Sequence, residues 1–549
     1  MAGRDLALRP VHPPAAYRGW WVPGALVLVL IALVLGGSAS ALVAAASHIE
    51  NPLALLGDAY LRRIIQFTLW QATLSTALSL ALALPIARAL HRRPAFRGRQ
   101  LLLYCFSLAF ILPAIVAIFG IVAVHGRAGW INQLLEWAGL PPAWYLYGLP
   151  GILIAHVFFN MPLAARIFLQ RLEAVPPESW QLATQLGFNS RDCFRLIEWP
   201  VLRASLATTG AMIFLLCATS FAVVLTLGGG PRATTLEVAI YQALRLDFDI
   251  PRAVALAVLQ IVLTGALSLA ALRFHHLPAT TAGLRRTVRR PDSSRTTLPA
   301  DIAALALAVL LVVLPLASVV IRGLQGPVLA SLADRALWHA TATSLVVAGS
   351  AGAGATLAGY LLLLTSRHLA LRLGRDKAAL ALEFAGSFIL VVPPFTLAAG
   401  LFLLLRSHAA AFDIALPAVA LTNGLAALPF VLRILSQPMR EVAQRYDRLA
   451  ASLGLAGWNR LRLLELPLLR RPLGLALALS IALSFGDLGV IALFGSGDSP
   501  TLPMLLYQRL GAYQFRGAAV TALFLALLSL GLFAVIERGI GGRAEGKKT

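Results

Sequence analysis

Twelve runs of strongly apolar sequence, each long enough to form a helix across a bilayer, recur along this 549-residue chain. They lie at about 21–46, 66–87, 100–124, 148–169, 205–227, 253–272, 301–321, 340–365, 379–404, 414–432, 472–495 and 517–536. A hydrocarbon core needs roughly 20 apolar residues of helix to cross it, so a water-soluble globule is excluded and an all-α integral membrane protein is expected. The first run follows Arg4, Arg9 and Arg18 but exceeds the roughly 7–15 apolar residues of a cleavable signal, and reads as a retained helix. Lys and Arg number 46 against 24 Asp and Glu. In a soluble protein that surplus suggests nucleic acid. Here the cations fall between the apolar runs and describe topology instead. With the N-terminus inside, the inside segments hold 34 Lys and Arg and the outside segments 11. The positive-inside rule therefore predicts that both termini are cytoplasmic.

Residues 273–300 interrupt the pattern with Pro278, Pro291, Pro299, Gly283 and six arginines, and read as a cytoplasmic linker. It divides the chain into six-helix halves, 1–272 and 301–549. A shift of 267 residues lays Pro162 on Pro429, Arg166 on Arg433, Gly187 on Gly454, Glu198 on Glu465 and Pro200 on Pro467. From Pro162 to Arg203, 15 of 42 positions are identical without a gap, which indicates duplication in parallel topology.

The duplicated stretch contains the longest inside loop of each half, about 171–204 and 438–471. Apolar and small residues recur there at helical spacing (Leu182, Ala183, Leu186; Leu449, Ala450, Leu453), followed by a glycine suited to ending a helix, Gly187 or Gly454. A second amphipathic stretch then leads to Pro200 or Pro467 and back into the membrane. Periodicity alone also fits an interfacial helix packed on its own bundle. Recurrence at matching positions, with the same 13-residue interval from Gly to Pro, favours a knob for another protein.

These loops resemble the E-A-A loop of permease subunits of ABC importers. Leu182-Ala183 and Leu449-Ala450 match its paired small or apolar positions, Gly187 and Gly454 its glycine, and Ile197-Glu198-Trp199-Pro200 and Leu464-Glu465-Leu466-Pro467 its close. The family's Glu falls on Gln181 in one copy and Arg448 in the other, so any pair that this Glu makes with a basic residue of the ATPase is closed to both copies. Further segments, Trp20 to Gly24, His125 to Trp130, Ala155 to Pro162, Leu227 to Leu244 and Ser484 to Gly495, are similar to the fused two-repeat permeases for thiamine and its phosphates.

The resemblance implies two six-helix type I importer repeats in a bacterial inner membrane. It also implies, as partners, two copies of a cytoplasmic ATPase and a periplasmic thiamine-binding protein, with a small-molecule substrate and no nucleic acid. It implies no bond chemistry in this chain, ATP and Mg binding to the partner ATPase. In agreement, Lys377, Lys547 and Lys548 complete no phosphate-cradling loop. The cysteines (Cys105, Cys193, Cys217) lack metal spacing, and His275-His276 reads as a solvated pair. The alternatives are a ferric-iron permease of the same superfamily and a twelve-helix secondary transporter. The latter needs buried coupling carboxylates, of which Asp487 is the clearest. Repeat matching sets Ser220 opposite Asp487. By resemblance the helix after each loop lines the substrate path, so Asp487 is either a partner for the thiazolium cation, a cap on a glycine-broken helix, or a partner of an arginine such as Arg509.

Overall fold

The computed structural model describes residues 20–47, 58–272, 290–293, 295–390, 392–406, 414–495 and 500–541. Among them the structure is helical, with no strand, and eleven helices are long and apolar enough to cross a membrane. In hydrocarbon every backbone amide must be satisfied within its own segment, and helices do this. Ten of the apolar runs map onto those helices, and the second half of another, 100–124, lies in the span Ala114–Trp137. The remaining run, 379–404, is instead two shorter helices, Asp376–Ser387 and Pro394–Arg406. The break falls at Pro393-Pro394, where the missing amide and the bias of a pre-proline residue toward extended backbone end a helix. The corresponding run of the first half breaks for the same reason, at Leu112 (ψ 139°) before Pro113, between Arg99–Ile111 and Ala114–His125.

The fifth run of each half is also interrupted. Trp199–Ala218 gives way to a short helix, Phe221–Leu227, and Leu466–Phe485 to Gly489–Phe494. Asp487 therefore lies in the break and not within a continuous eleventh helix.

The described chain forms two compact units, and they do not follow the linear halves. One comprises Met1–Val43, Thr341–Ser499 and Leu528–Thr549, the other Ala44–Ala340 and Pro500–Leu527. In the first unit the opening helix, Val22–Ala46, packs on helices of the second repeat. Thr365 Oγ1 accepts from Gly24 N at 3.0 Å, and Ser38 Oγ donates to Leu397 O at 3.1 Å. The approach at Ser38 is so close that a Cβ on Gly400 would sit 2.0 Å from the Ser38 hydroxyl oxygen. In the second unit the helix that follows the linker packs on the first repeat, with Ser318 Oγ donating to Gly120 O at 3.0 Å. Each repeat thus borrows its first helix from the other. Large apolar side chains such as Leu26, Leu33, Leu101 and Leu269 remain exposed around these bundles, as expected of surfaces solvated by lipid.

Candidate functional site

Each duplicated loop is built from a helix, a tight left-handed turn and a second helix entering the membrane, and the same physics shapes both copies. In the first, Gly187 takes φ 66°, Phe188 N donates to Ala183 O at 2.9 Å and Gly187 N to Thr184 O at 3.2 Å. In the second, Gly454 takes φ 64°, Leu455 N donates to Ala450 O at 2.8 Å and Gly454 N to Ala451 O at 3.2 Å. This paired bonding satisfies carbonyls left over at a helix end and requires positive φ, which glycine adopts without a Cβ penalty.

The copies differ on the way in. The first loop helix, Pro177–Gln185, is separate from the spanning helix Leu149–Glu173 because Pro176-Pro177 interrupt the chain. At the matching positions the second copy has Ala443-Gln444, and a single helix, Ala415–Ser452, runs 38 residues, about 57 Å, from within the membrane span to the turn. The expectation of a separate loop helix thus holds for the first copy only.

The outer faces agree. Leu182, Leu186 and Leu196 are exposed in the first loop, and Leu449, Leu453 and Leu463, their counterparts at the 267-residue shift, in the second; all six lie between 51% and 63%. Gln181 and Arg448 are exposed beside them. Ala183 and Ala450, in contrast, are 1% exposed and face their own unit. The loops therefore present leucines outward and use the alanines for packing. Pro200 and Pro467 stand exposed at the first turn of the returning helices.

Beneath each loop lies a buried carboxylate. Glu198 and Glu465 each close a π-helical turn, Cys193–Glu198 and Leu461–Glu465, and are 0% and 3% exposed. Glu465 accepts from Arg367 Nη2 at 2.8 Å, from Arg460 Nε at 2.8 Å and from the Tyr360 hydroxyl. Arg460 also reaches Asp447 at 2.5 Å, and Arg372 reaches the same Asp447 at 3.2 Å. In the other unit Glu198 accepts from Arg88 Nε at 2.5 Å and from Arg290 Nη2 at 2.5 Å. Arg290 comes from the described end of the linker. Burial works against its charge, but hydrogen bonding to Asp292, together with the nearby Glu198 carboxylate, outweighs that and holds its pKa above the usual arginine value. Charge-assisted bonds of this kind offset the high cost of burying a carboxylate. The repeat alignment already matched Glu198 with Glu465; their burial and their partners were not visible in the sequence.

Asp487 is partly exposed at the helix break. Its Oδ1 accepts from Gly489 N at 3.1 Å, and its Oδ2 from Val490 N at 3.2 Å and Asn423 Nδ2 at 3.5 Å. It caps the short helix Gly489–Phe494. The expected alternative partner, Arg509, instead binds Asp334 Oδ2 and Thr521 Oγ1, each at 2.5 Å. His275-His276 lie outside the described residues.

Comparison with known proteins agrees with this architecture. Residues 369–540 match the family model described as "binding-protein-dependent transport system inner membrane component". The chain is 46% identical over 528 residues to a thiamine transport system permease protein of Brucella abortus, covering 95% of this chain and 96% of the relative. It is 44% identical over 520 residues to the protein of that description from Escherichia coli, at 95% and 96% coverage. To that from Haemophilus influenzae it is 42% identical over 534 residues, covering 96% of each. Similarity of this extent, on an all-helical bundle with membrane-length apolar helices, means that the chain belongs to the thiamine transport system permease family, the multi-pass inner-membrane components of binding-protein-dependent transport systems.

Proposed function

We propose that this chain is the membrane subunit of an ATP-driven importer that carries thiamine and its phosphate esters inward, with both termini in the cytoplasm. A periplasmic binding protein delivers the substrate. Two cytoplasmic ATPase subunits, which hold the ATP and Mg, dock one on each duplicated loop. The observation that carries this reading is the matched pair of exposed leucine faces, Leu182, Leu186 and Leu196 against Leu449, Leu453 and Leu463. Exposed apolar patches on loops outside the hydrocarbon mark interaction surfaces, and two equivalent patches suit two copies of one partner. Gln181 and Arg448 flank these faces where the family's Glu stands, so the ATPase contact is apolar at its centre and lacks that acid in both copies.

The substrate assignment rests on the relatives' descriptions together with their near full-length similarity. As a cap, Asp487 needs only acceptor oxygens; as a partner for the thiazolium cation it needs its charge, and Asp487→Asn separates the two roles.

Proteoliposomes containing this chain, its ATPase and its binding protein test the proposal. ATP-dependent accumulation of labelled thiamine, competed by thiamine diphosphate, is expected. Accumulation of ferric iron without thiamine, or uptake driven by an ion gradient in the absence of ATP, overturns it.

A further inference from the structure

We propose that Arg290, on the segment joining the two halves, is a positioning residue for the first loop, taking from outside that loop the place that Arg460 holds within the second. The 267-residue shift that matches Glu198 with Glu465 also matches Cys193 with Arg460 and Trp180 with Asp447. In the second copy the pin is internal. Arg460, five residues before Glu465, binds both Glu465 and Asp447.

In the first copy the acid is kept as Glu198, but Arg460 and Asp447 are both replaced. Cys193 is fully buried and carries no guanidinium, and Trp180, 3% exposed, carries no carboxylate. The linker supplies both charges. Arg290 Nη2 reaches Glu198 Oε1 at 2.5 Å across 92 residues of sequence, and Asp292 accepts from Arg290 Nε and Nη2 at 2.8 Å each. The guanidinium lies over the Trp180 ring, 4.2 Å from its centroid, where the second copy has the Asp447 carboxylate. Its Nη1 lies 2.6 Å from His91 Nδ1. Arg290 and Asp292 are 5% and 3% exposed, so this end of the linker is a packed part of the unit.

The charge environment on every side supports a built site. Arg88 holds the other oxygen of Glu198, while Arg92 and Arg93 face Asp301 at 3.4 and 3.0 Å, with Asp292 3.9 Å from Arg92 Nε. Removing Arg290 leaves Glu198 with half of its pairing and Trp180 with an empty face. Trp180 belongs to the loop helix and packs with Val175 and Cys193 in the small core beneath the loop, so the loop's seat loosens with it. In the second loop the arginine and both of its carboxylate partners come from the loop itself. The two loops are thus alike outside and held by different means inside.

The inference concerns the geometry of the loop and rests on the coupling reading only for its effect on transport, so two readouts are needed. In a full-length chain with Cys105 and Cys217 changed to serine, the reaction of Cys193 with a maleimide reports the loop's seat directly, whatever docks on it. Arg290→Ala is expected to speed that labelling at least tenfold; an unchanged rate overturns the proposal. In the second measurement, thiamine uptake lost in Arg290→Ala is expected to return in the double variant Arg290→Ala/Cys193→Arg, which places an arginine five residues before Glu198 as in the second loop. If Arg290→Ala fails to accumulate in the membrane, accumulation of the double variant supports the proposal and its failure overturns it. Faster Cys193 labelling with normal uptake leaves the positioning role standing and removes the coupling role of the loop.

Discussion

The glycines that end the two loop helices allow a contact made only with a partner to be separated from the chain's own folding energy. A Cβ built on Gly187 or Gly454 meets nothing within 4 Å. A Cβ therefore has room among the described residues, and its internal cost is that of placing it at φ 66° or 64°. Left-handed backbone costs a residue with a Cβ about 1–2 kcal/mol, a five- to thirtyfold change in the local equilibrium. Gly454→Ala and Gly454→Glu incur nearly the same backbone term. They differ in what projects from the turn, a methyl group against a charged chain of several atoms beside Leu449 and Leu453. If an ATPase subunit seats on that face, the alanine variant keeps most of its ATPase and uptake falls no more than the backbone term allows. The glutamate variant loses at least a further tenfold in ATPase retained or in thiamine carried per ATP. The assay is co-purification of ATPase with tagged permease, followed by uptake and hydrolysis measured on the same proteoliposomes, with the Gly187 pair run in parallel. Indistinguishable alanine and glutamate variants at both glycines would refute the docking argument, because the whole effect would then lie in the backbone.

Glu465→Ala, which strands the Arg367 charge and leaves Arg460 with Asp447 in place of two carboxylates, is expected to destabilise its unit by about 3 kcal/mol, read as a lowered unfolding midpoint of the detergent-solubilised chain; a midpoint within a degree of the parent removes the pinning role. Asp487→Asn keeps one acceptor oxygen, enough for one of the Gly489 and Val490 amides, and is expected to assemble with thiamine uptake within twofold. Asp487→Leu is expected to lose about 1–2 kcal/mol of capping. A severe uptake defect in Asp487→Asn with intact assembly would instead assign the charge to the cation's path. Single cysteines near Arg97, Asn189, Arg375 and Gly457 are expected to be labelled only from the cytoplasm, and those near Asp58, Glu136, Asp247 and Asp334 only from the periplasm. The reverse pattern would invert the topology read from the 34 inside and 11 outside cations.

What the sequence discloses here follows from the range of the forces involved. Membrane helices are legible because hydrophobicity acts residue by residue, and prolines such as Pro113 and Pro393 leave a local signature even where the full break was not anticipated. The helix ends at Gly187 and Gly454 are legible for the same reason: a Schellman turn is completed within six residues. The continuous helix through Ala443-Gln444 follows from the absence of the first copy's two prolines, a local difference that emphasis on the shared pattern obscured. Partners remote in sequence were not legible. Arg509 meets Asp334 across 175 residues and Arg290 meets Glu198 across 92, and charge alone does not select one arginine among 46 Lys and Arg. The one available hint was a mismatch inside the repeat, Cys193 where the second copy has Arg460, with Glu198 retained. An acid kept without its partner implies that the partner arrives from elsewhere.

The exchange of first helices sets a timetable for biogenesis. Ser38 waits for Leu397, 359 residues later, and at the usual 5–20 residues per second of synthesis that delay is about 20–70 s. For that interval the opening helix lacks the partner of its Ser38 hydroxyl, while the other five helices of its half are already made. Each half therefore completes its bundle only when the first helix of the other is in place.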